Sequence, residues 1–115
     1  MSRVKRGIVT KKRHKRLLKE TKGYWGQRKN VFKRASETLI RAMAFAYKGR
    51  KLKKRDMRAL FISRIKAGAE QSGLSYSQLM AGLKREQVML NRKMLSQLAI
   101  YEPAIFAQIA HIAQG

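Results

Sequence analysis

Apolar residues recur every three or four positions through the middle of the chain, which is the period of a helix that is buried along one side. After Asn30, which suits an N-cap, the series is Phe32, Ala35, Leu39, Met43 and Ala46, and it resumes with Met57, Leu60 or Phe61, Ile65 and Ala69. Gly49 weakens the middle of this stretch, but no proline interrupts residues 26–102. The pattern predicts one long helix over residues 31–72, about 60 Å in length at about 1.5 Å per residue.

Three shorter helices are expected after Gly73, a residue type that commonly ends helices. Ser75 and Gln78 form a capping-box pattern, Asn91 is a second N-cap, and Pro103 suits the first turn of the last helix. The side chains expected to face the interior are Tyr76, Leu79, Met80, Leu83, Leu95, Leu98, Ala99, Ile105, Phe106, Ile109 and Ile112. No segment shows the sustained alternation of a strand. The prediction is all-α, with a small helical C-terminal globular domain (residues 59–115) and a long, basic, protruding N-terminal helical extension (residues 1–58).

The extension contains little that could form a core. Residues 1–7 have no period and are expected to be a disordered tip without a partner. Residues 8–22 could form a short basic helix, but Leu17 and Leu18 are its only strong apolar residues after Ile8 and Val9. The segment Gly23–Gly26 predicts a sharp turn, because its two glycines bracket Tyr24 and Trp25.

Positive charge is concentrated in the same extension. The chain of 115 residues has a net charge of +22; residues 1–58 hold 22 basic and 3 acidic residues, and residues 59–115 hold 6 basic and 3 acidic residues. The two parts therefore carry +19 and +3. So uneven a charge repels itself in water and favours a polyanionic partner, of which nucleic acid is the commonest in cells.

Four groups of residues are candidates for contact with nucleic acid. Six consecutive residues, 11–16, are basic or titratable, and cations recur at seven-residue spacing along one side of the long helix. An aromatic pair lies in the glycine turn. Two further cations follow the Asn91 cap, where they oppose the helix dipole and could bind phosphate. The full set of RNA-binding candidates is Arg3, Lys5, Arg6, Lys11, Lys12, Arg13, His14, Lys15, Arg16, Lys22, Tyr24, Trp25, Arg28, Arg34, Arg41, Lys48, Lys51, Arg55, Arg58, Lys84, Arg85, Arg92 and Lys93.

Each group has a simpler interpretation. Residues 11–16 also match a loose nuclear-localisation pattern, and they could be a solvated run of charge. The cation stripe could be an ordinary solvent-exposed face, although such faces usually mix both signs of charge. Tyr24 and Trp25 could stack on unpaired bases or could anchor a helix junction, and the residues alone do not decide between these roles. Arg92 and Lys93 could be exposed side chains that tolerate a small electrostatic penalty.

Other classes of function find little support. The absence of cysteine excludes disulfides and thiolate-ligated zinc, and neither His14 nor His111 has a carboxylate at metal-ligand spacing. We expect no metal, cofactor, small-molecule substrate or catalytic site, so the chain is not expected to be an enzyme. No signal peptide or membrane span is predicted, which indicates a soluble intracellular protein.

Several segments in order resemble one known family, the bacterial large-subunit ribosomal protein numbered twenty. They are Arg3-Val-Lys-Arg-Gly7, Arg13-His-Lys-Arg16, Lys22-Gly-Tyr-Trp-Gly26, Ser63-Arg-Ile65, Gly73-Leu-Ser-Tyr-Ser77, Gly82-Leu-Lys84 and Leu90-Asn-Arg-Lys93. The resemblance covers nearly the whole chain. It departs at Phe61, where the family often has Trp, at Lys66, where Asn is usual, and at Glu70, where a basic residue is common.

The resemblance implies a helical C-terminal domain and an N-terminal extension threaded into ribosomal RNA. It implies direct binding to large-subunit ribosomal RNA, a role early in subunit assembly, neighbouring ribosomal proteins as partners, and a cytoplasmic location in the ribosome, with an organellar ribosome as the alternative. The extension residues that would lie in RNA are Arg3, Lys5, Arg6, Arg13, His14, Lys15, Tyr24, Arg28 and Arg34, whereas Arg92 and Lys93 would belong to the globular surface. Some similar proteins repress translation of their own operon; Glu70 lowers the positive charge near the globular domain, so autorepression here stays a hypothesis.

Two rivals share part of this pattern. A DNA-architectural, histone-like protein would have the same charge and would bind duplex DNA as well as structured RNA. A membrane-active helix would need a broad apolar face opposite its cations, which residues 8–22 lack.

Overall fold

The computed structural model describes Arg3 and residues 5–115, and the regular elements of this part of the chain are all helical. They are α1 (Gly7–Glu20), a short 3-10 helix (Gly26–Arg28), α2 (Phe32–Gln71), α3 (Tyr76–Arg85), α4 (Arg92–Tyr101) and α5 (Pro103–Gln114). No strand occurs among these residues, and the all-α prediction is confirmed. The tip predicted to be disordered, residues 1–7, includes Met1, Ser2 and Val4, which lie outside the described residues.

The chain divides into two compact units, residues 1–50 and residues 51–115, and α2 contributes to both. The boundary that the charge distribution predicts lies between residues 58 and 59, eight residues later, and the division into a basic extension and a globular domain stays a prediction.

The long helix predicted over residues 31–72 is α2, with 40 residues. It begins one residue later than an Asn30 cap would require, since the Val31 carbonyl accepts the hydrogen bond from Ala35 N–H. Its end is a Schellman motif. Gly73 has a φ of +75°, its N–H donates to Glu70 O, and Leu74 N–H donates to Ala69 O, so the last carbonyls of α2 are satisfied.

The core of the unit formed by residues 51–115 joins the end of α2 to the three short helices. Its buried members are Ile65, Ala69, Leu79, Leu83, Leu95, Phe106, Ala110 and Ala113. The helix that begins in the basic half therefore contributes Ile65 and Ala69 to this core, as its period predicted. Tyr76, Met80, Leu98 and Ala99 pack around the cluster in half-buried positions, also as expected.

Helix α5 packs against both α3 and α4, and its buried side differs from the prediction. Ile105 and Ile112 are 44% and 51% exposed, whereas Ala110 and Ala113 are buried beside Phe106. At the C-terminal end of α5 the reason is a close approach of two backbones: a Cβ placed on Gly82 of α3 would collide with the carbonyl of Ala113. A large isoleucine could not occupy so narrow a space, and the small residues of α5 take the interior positions.

The predicted caps of the short helices are present. Ser75 and Gln78 exchange both hydrogen bonds of a capping box, and Asn91 Oδ1 accepts from Met94 N–H at 2.9 Å. Helix α3 ends in the same way as α2, but with Gln87 in the left-handed conformation at a φ of +53°. Val88 N–H donates to Leu83 O there, at 2.9 Å.

The apolar stripe predicted for the first half of α2 is only partly buried. Ala35 is fully buried and Leu39 half-buried, whereas Met43 and Ala46 are exposed. Among the described residues of the unit formed by residues 1–50, the fully buried ones are Thr21 and Ala35. This unit has too few apolar side chains to cover the rest of the stripe.

Candidate nucleic-acid interface

The RNA-binding candidates, cationic and aromatic, are spread over every helix named above except α5. Arg3, Lys5 and Arg6 precede α1; residues 11–16 lie in α1; Lys22, Tyr24 and Trp25 lie in the turn; Arg28 lies in the 3-10 helix; Arg34, Arg41, Lys48, Lys51, Arg55 and Arg58 lie in α2; Lys84 and Arg85 lie in α3; and Arg92 and Lys93 lie in α4. All of these except His14, Tyr24 and Arg92 are exposed. The first 58 residues offer only three carboxylates for 22 basic residues, so most of this charge has no acidic counterpart within the extension.

Thr21 anchors the end of α1. It is fully buried, and its hydroxyl lies 3.2 Å from Leu18 O and 3.4 Å from Lys29 O. The second of these bonds spans eight residues and fastens the end of α1 to the segment that leads into α2. Sequence reasoning missed this residue, because a single threonine among lysines has no distinguishing pattern.

His14 has an intramolecular partner that its place in the basic run did not reveal. Its ring stacks on Phe32, with centroids 3.7 Å apart and planes inclined by 18°. One face of the imidazole is therefore covered by the protein. The predicted RNA contact of His14 stays a prediction, and it would have to use the ring edge or the other face.

The two aromatic residues of the turn differ in exposure, and their predicted roles as base-stacking surface or helix anchor stay predictions. Tyr24 is half-buried, whereas Trp25 is 88% exposed. Gly23 and Gly26 adopt φ angles of +88° and +58°, which side-chain-bearing residues rarely reach. The turn thus presents the indole to solvent on a backbone that requires both glycines.

Trp25 borders a groove of about 510 Å³ between the turn and the first half of α2. Arg28, Arg34 and Arg41 also line the groove, together with Glu37 and Thr38. Arg34 Nη1 lies 3.4 Å from Glu37 Oε2, and the Thr38 hydroxyl donates to Arg34 O at 2.8 Å. The fold therefore brings four of the predicted residues, Trp25, Arg28, Arg34 and Arg41, around one cavity.

A second cavity, of about 580 Å³, lies in the unit formed by residues 51–115. Lys84 and Arg92 line it with apolar residues, among them Met80, Met89 and Leu90. Arg92 is half-buried because its Nε donates to the Tyr76 hydroxyl at 2.9 Å, whereas Lys93 is exposed. Arg92 thus has a structural bond in addition to its predicted RNA contact.

Arg85 also has partners within the protein. Its Nη2 donates to Ala113 O near the end of α5 at 3.4 Å, and its Nε lies 3.1 Å from Glu86 Oε1. A cation beside the last carbonyls of a helix is favourable. These bonds give Arg85 a role in the contact between α3 and α5, which its sequence neighbourhood alone did not indicate.

Two of the departures from the family pattern are ion-pair partners. Lys66 Nζ lies 3.7 Å from Glu70 Oε1, at the i,i+4 spacing. The pair is exposed, so its contribution to stability is small, about 0–1 kcal/mol. The negative charge of Glu70 is nevertheless offset locally by Lys66.

Arg3 and residues 5–115 contain neither a membrane-spanning helix nor a cluster of metal ligands. No helix there has both the length and the apolar character needed to cross a lipid bilayer. No group of three or more His, Cys, Asp or Glu side chains there is arranged to hold a metal ion.

Comparison with known proteins agrees with the resemblance seen in the ordered motifs. The profile of the family described as Ribosomal protein L20 matches residues 3–109. A relative from Clostridium novyi (strain NT), named large ribosomal subunit protein bL20, is 53% identical over 114 residues, which cover 99% of this chain and 96% of the relative. The protein of the same name from Clostridium botulinum (strain Hall) is 51% identical over the same length, with the same coverage. The chain is therefore a member of the ribosomal protein L20 family.

Proposed function

We propose that this protein is a structural constituent of the large ribosomal subunit that binds large-subunit ribosomal RNA directly and promotes early assembly of the subunit. The observation that carries the proposal is the excess of exposed cations on α1 and α2 over the few carboxylates available to them. Membership of the family supports the choice of ribosomal RNA as the polyanion, and the relatives' printed name supports the large subunit.

The mechanism is neutralisation of phosphate charge. Arg and Lys side chains that contact phosphates release condensed counterions, and this release favours binding. A helix with exposed cations can lie between RNA segments and lower the repulsion between them. The protein performs no bond-making step in this mechanism, so it acts by binding alone.

Neighbouring ribosomal proteins form the second class of partner in the proposal. On the first half of α2, Ile40, Met43 and Tyr47 are each more than half exposed, and their spacing of three and four residues places them on one face of the helix. Large apolar side chains exposed this close together commonly mark an interaction surface. Burial of these side chains against a neighbouring protein or RNA in the assembled subunit would explain why they are exposed in the isolated protein.

The cation stripe on α2 consists of Arg34, Arg41, Lys48 and Arg55, at seven-residue spacing, and replacing two of them tests the proposal. In the double variant Lys48→Gln/Arg55→Gln, the slope of log affinity for ribosomal RNA against log salt concentration should become shallower by about 1.4–1.8, since each phosphate contact contributes about 0.7–0.9. The slope is measured by titrating labelled large-subunit RNA at several salt concentrations.

The matched control is Arg64→Gln/Lys66→Gln, which removes the same charge from the same helix at exposed positions outside the candidate set. This control should leave the slope close to that of the unaltered protein. Equal changes in the two variants would show that total charge, rather than the stripe, determines binding.

A further inference from the structure

We propose that the groove beside Trp25 holds one unpaired guanine nucleotide of the bound RNA, with its base on the indole and the Glu37 carboxylate at its Watson–Crick edge. This inference rests on the proposed function. It adds a base-specific contact to binding that otherwise depends on phosphate charge.

The indole provides a stacking surface. A tryptophan that is 88% exposed contributes almost nothing to the packing of its own fold. The backbone that carries it is nevertheless ordered: Gly23 and Gly26 adopt positive φ angles in the turn, and Arg28 N–H donates to Trp25 O at 3.2 Å. Proteins that recognise single-stranded RNA stack unpaired bases on aromatic side chains presented in this way.

The guanidinium groups provide sites for the phosphates. Arg28, Arg34 and Arg41 line the same groove as the indole, and arginine matches the geometry of phosphate oxygens. The volume of about 510 Å³ lies within the range of about 300–1,000 Å³ that is usual for small-molecule sites, and a single nucleotide fits such a space. An aromatic face beside three cations therefore matches a base together with its flanking phosphates.

Glu37 indicates which base is bound. It is one of only three acidic residues in the first 58, and it lines the groove, where it would repel phosphate. An ionised carboxylate accepts hydrogen bonds and donates none. Guanine offers two adjacent donors, N1–H and the N2 amino group, whereas adenine and cytosine offer one amino group and uracil offers one N–H between two carbonyls. Glu37 lines the groove with its carboxylate 3.4 Å from the Arg34 guanidinium, so guanine is the complementary base.

The test uses the full chain and a set of RNA hairpins that are identical except for one bulged nucleotide (G, A, C or U) or none. Trp25 is the only tryptophan in the protein, so tryptophan fluorescence reports on this site alone. The bulged-G hairpin should quench the fluorescence and bind about tenfold more tightly than the fully paired hairpin, within the range measured for stacking of one base. Guanosine monophosphate at the same concentration should not quench it, because a free nucleotide lacks the flanking phosphates.

Variants separate stacking from base recognition, with affinities measured by the anisotropy of labelled RNA. Trp25→Ala should weaken binding of the bulged-G hairpin about tenfold and leave the paired hairpin unchanged, and Trp25→Phe should restore most of the difference. Tyr101→Ala, which removes an aromatic side chain that is 75% exposed on α4, is the matched control and should change neither affinity. Glu37→Gln should retain the quenching but remove the preference for G over U. Circular dichroism of Trp25→Ala should match the unaltered protein, since the ring is almost entirely exposed.

The outcomes distinguish this inference from the function on which it rests. Equal affinity for bulged and paired hairpins, with unquenched fluorescence, would overturn the groove and leave ribosomal RNA binding intact. Equal affinity for the four bulged hairpins would overturn the assignment of Glu37, and quenching by guanosine monophosphate alone would indicate a free-nucleotide site instead. Failure to bind any of the hairpins, or large-subunit RNA itself, would contradict the proposed function as well.

Discussion

Raising the salt concentration from about 50 to about 200 mM should lower the affinity of this protein for large-subunit ribosomal RNA by about a thousandfold or more. That loss corresponds to about six neutralised phosphates, which is a small fraction of the 22 basic residues in the first 58. The measurement is a series of equilibrium titrations of labelled RNA across this range of salt.

Duplex DNA competitor in the same titrations is the control for generic attraction to polyanions. Structured ribosomal RNA should retain the protein in the presence of an equal concentration of duplex DNA. An affinity that changes little with salt would contradict phosphate neutralisation, and equal partition between RNA and DNA would favour a DNA-architectural protein.

Replacing Gly82 with alanine should lower the free energy of unfolding of the unit formed by residues 51–115 by about 3 kcal/mol, the upper end of the usual cost of overpacking. The added methyl group would collide with the carbonyl of Ala113, and a backbone carbonyl cannot rotate out of the way as a side chain can. Helices α3 and α5 would have to separate, which would disturb the buried contacts of Leu79, Leu83 and Phe106. The measurement is urea denaturation followed by circular dichroism.

Gly49→Ala is the matched control, because it makes the same change in a helix interior where, apart from the adjacent backbone of α2 itself, no atom lies within 4 Å of the added Cβ. It should stabilise α2 by about 0.5–1 kcal/mol, since alanine is the better helix former. If Gly82→Ala behaved like Gly49→Ala, the close approach of α3 and α5 would be refuted.

The helices could be predicted from sequence because their signals are local. The period of apolar residues located α2, and Ser75, Asn91, Gly73 and Pro103 marked ends by chemistry that acts within a few residues. The end of α3 gave a weaker signal, since Gln87 takes the left-handed conformation in which glycine is usual. The buried side of α5 was predicted wrongly at Ile105 and Ile112. At Ile112 the cause is the close approach of Gly82 to Ala113, a tertiary contact that no helical period contains.

The candidate site was predictable in composition but not in arrangement. Excess cations between residues 3 and 58 are visible in the sequence, and their exposure follows from the lack of apolar neighbours. The stack of His14 on Phe32 and the buried hydroxyl of Thr21 join residues that are 18 and 8 positions apart, through a turn whose path the sequence did not specify. For the same reason, the groove that joins Trp25 to Arg34, Glu37 and Arg41 emerged only with the structure.

The central claim is that the basic extension acquires a stable conformation when RNA phosphates offset its charge. Helix α1 is the sensitive element, since none of its residues is fully buried and an isolated helix of 14 residues is marginal in water. The direct measurement is amide hydrogen exchange of residues 7–20 at low ionic strength, with and without large-subunit ribosomal RNA. Fast exchange in the free protein and strong protection in the complex are expected, whereas slow exchange that RNA does not change would contradict the claim.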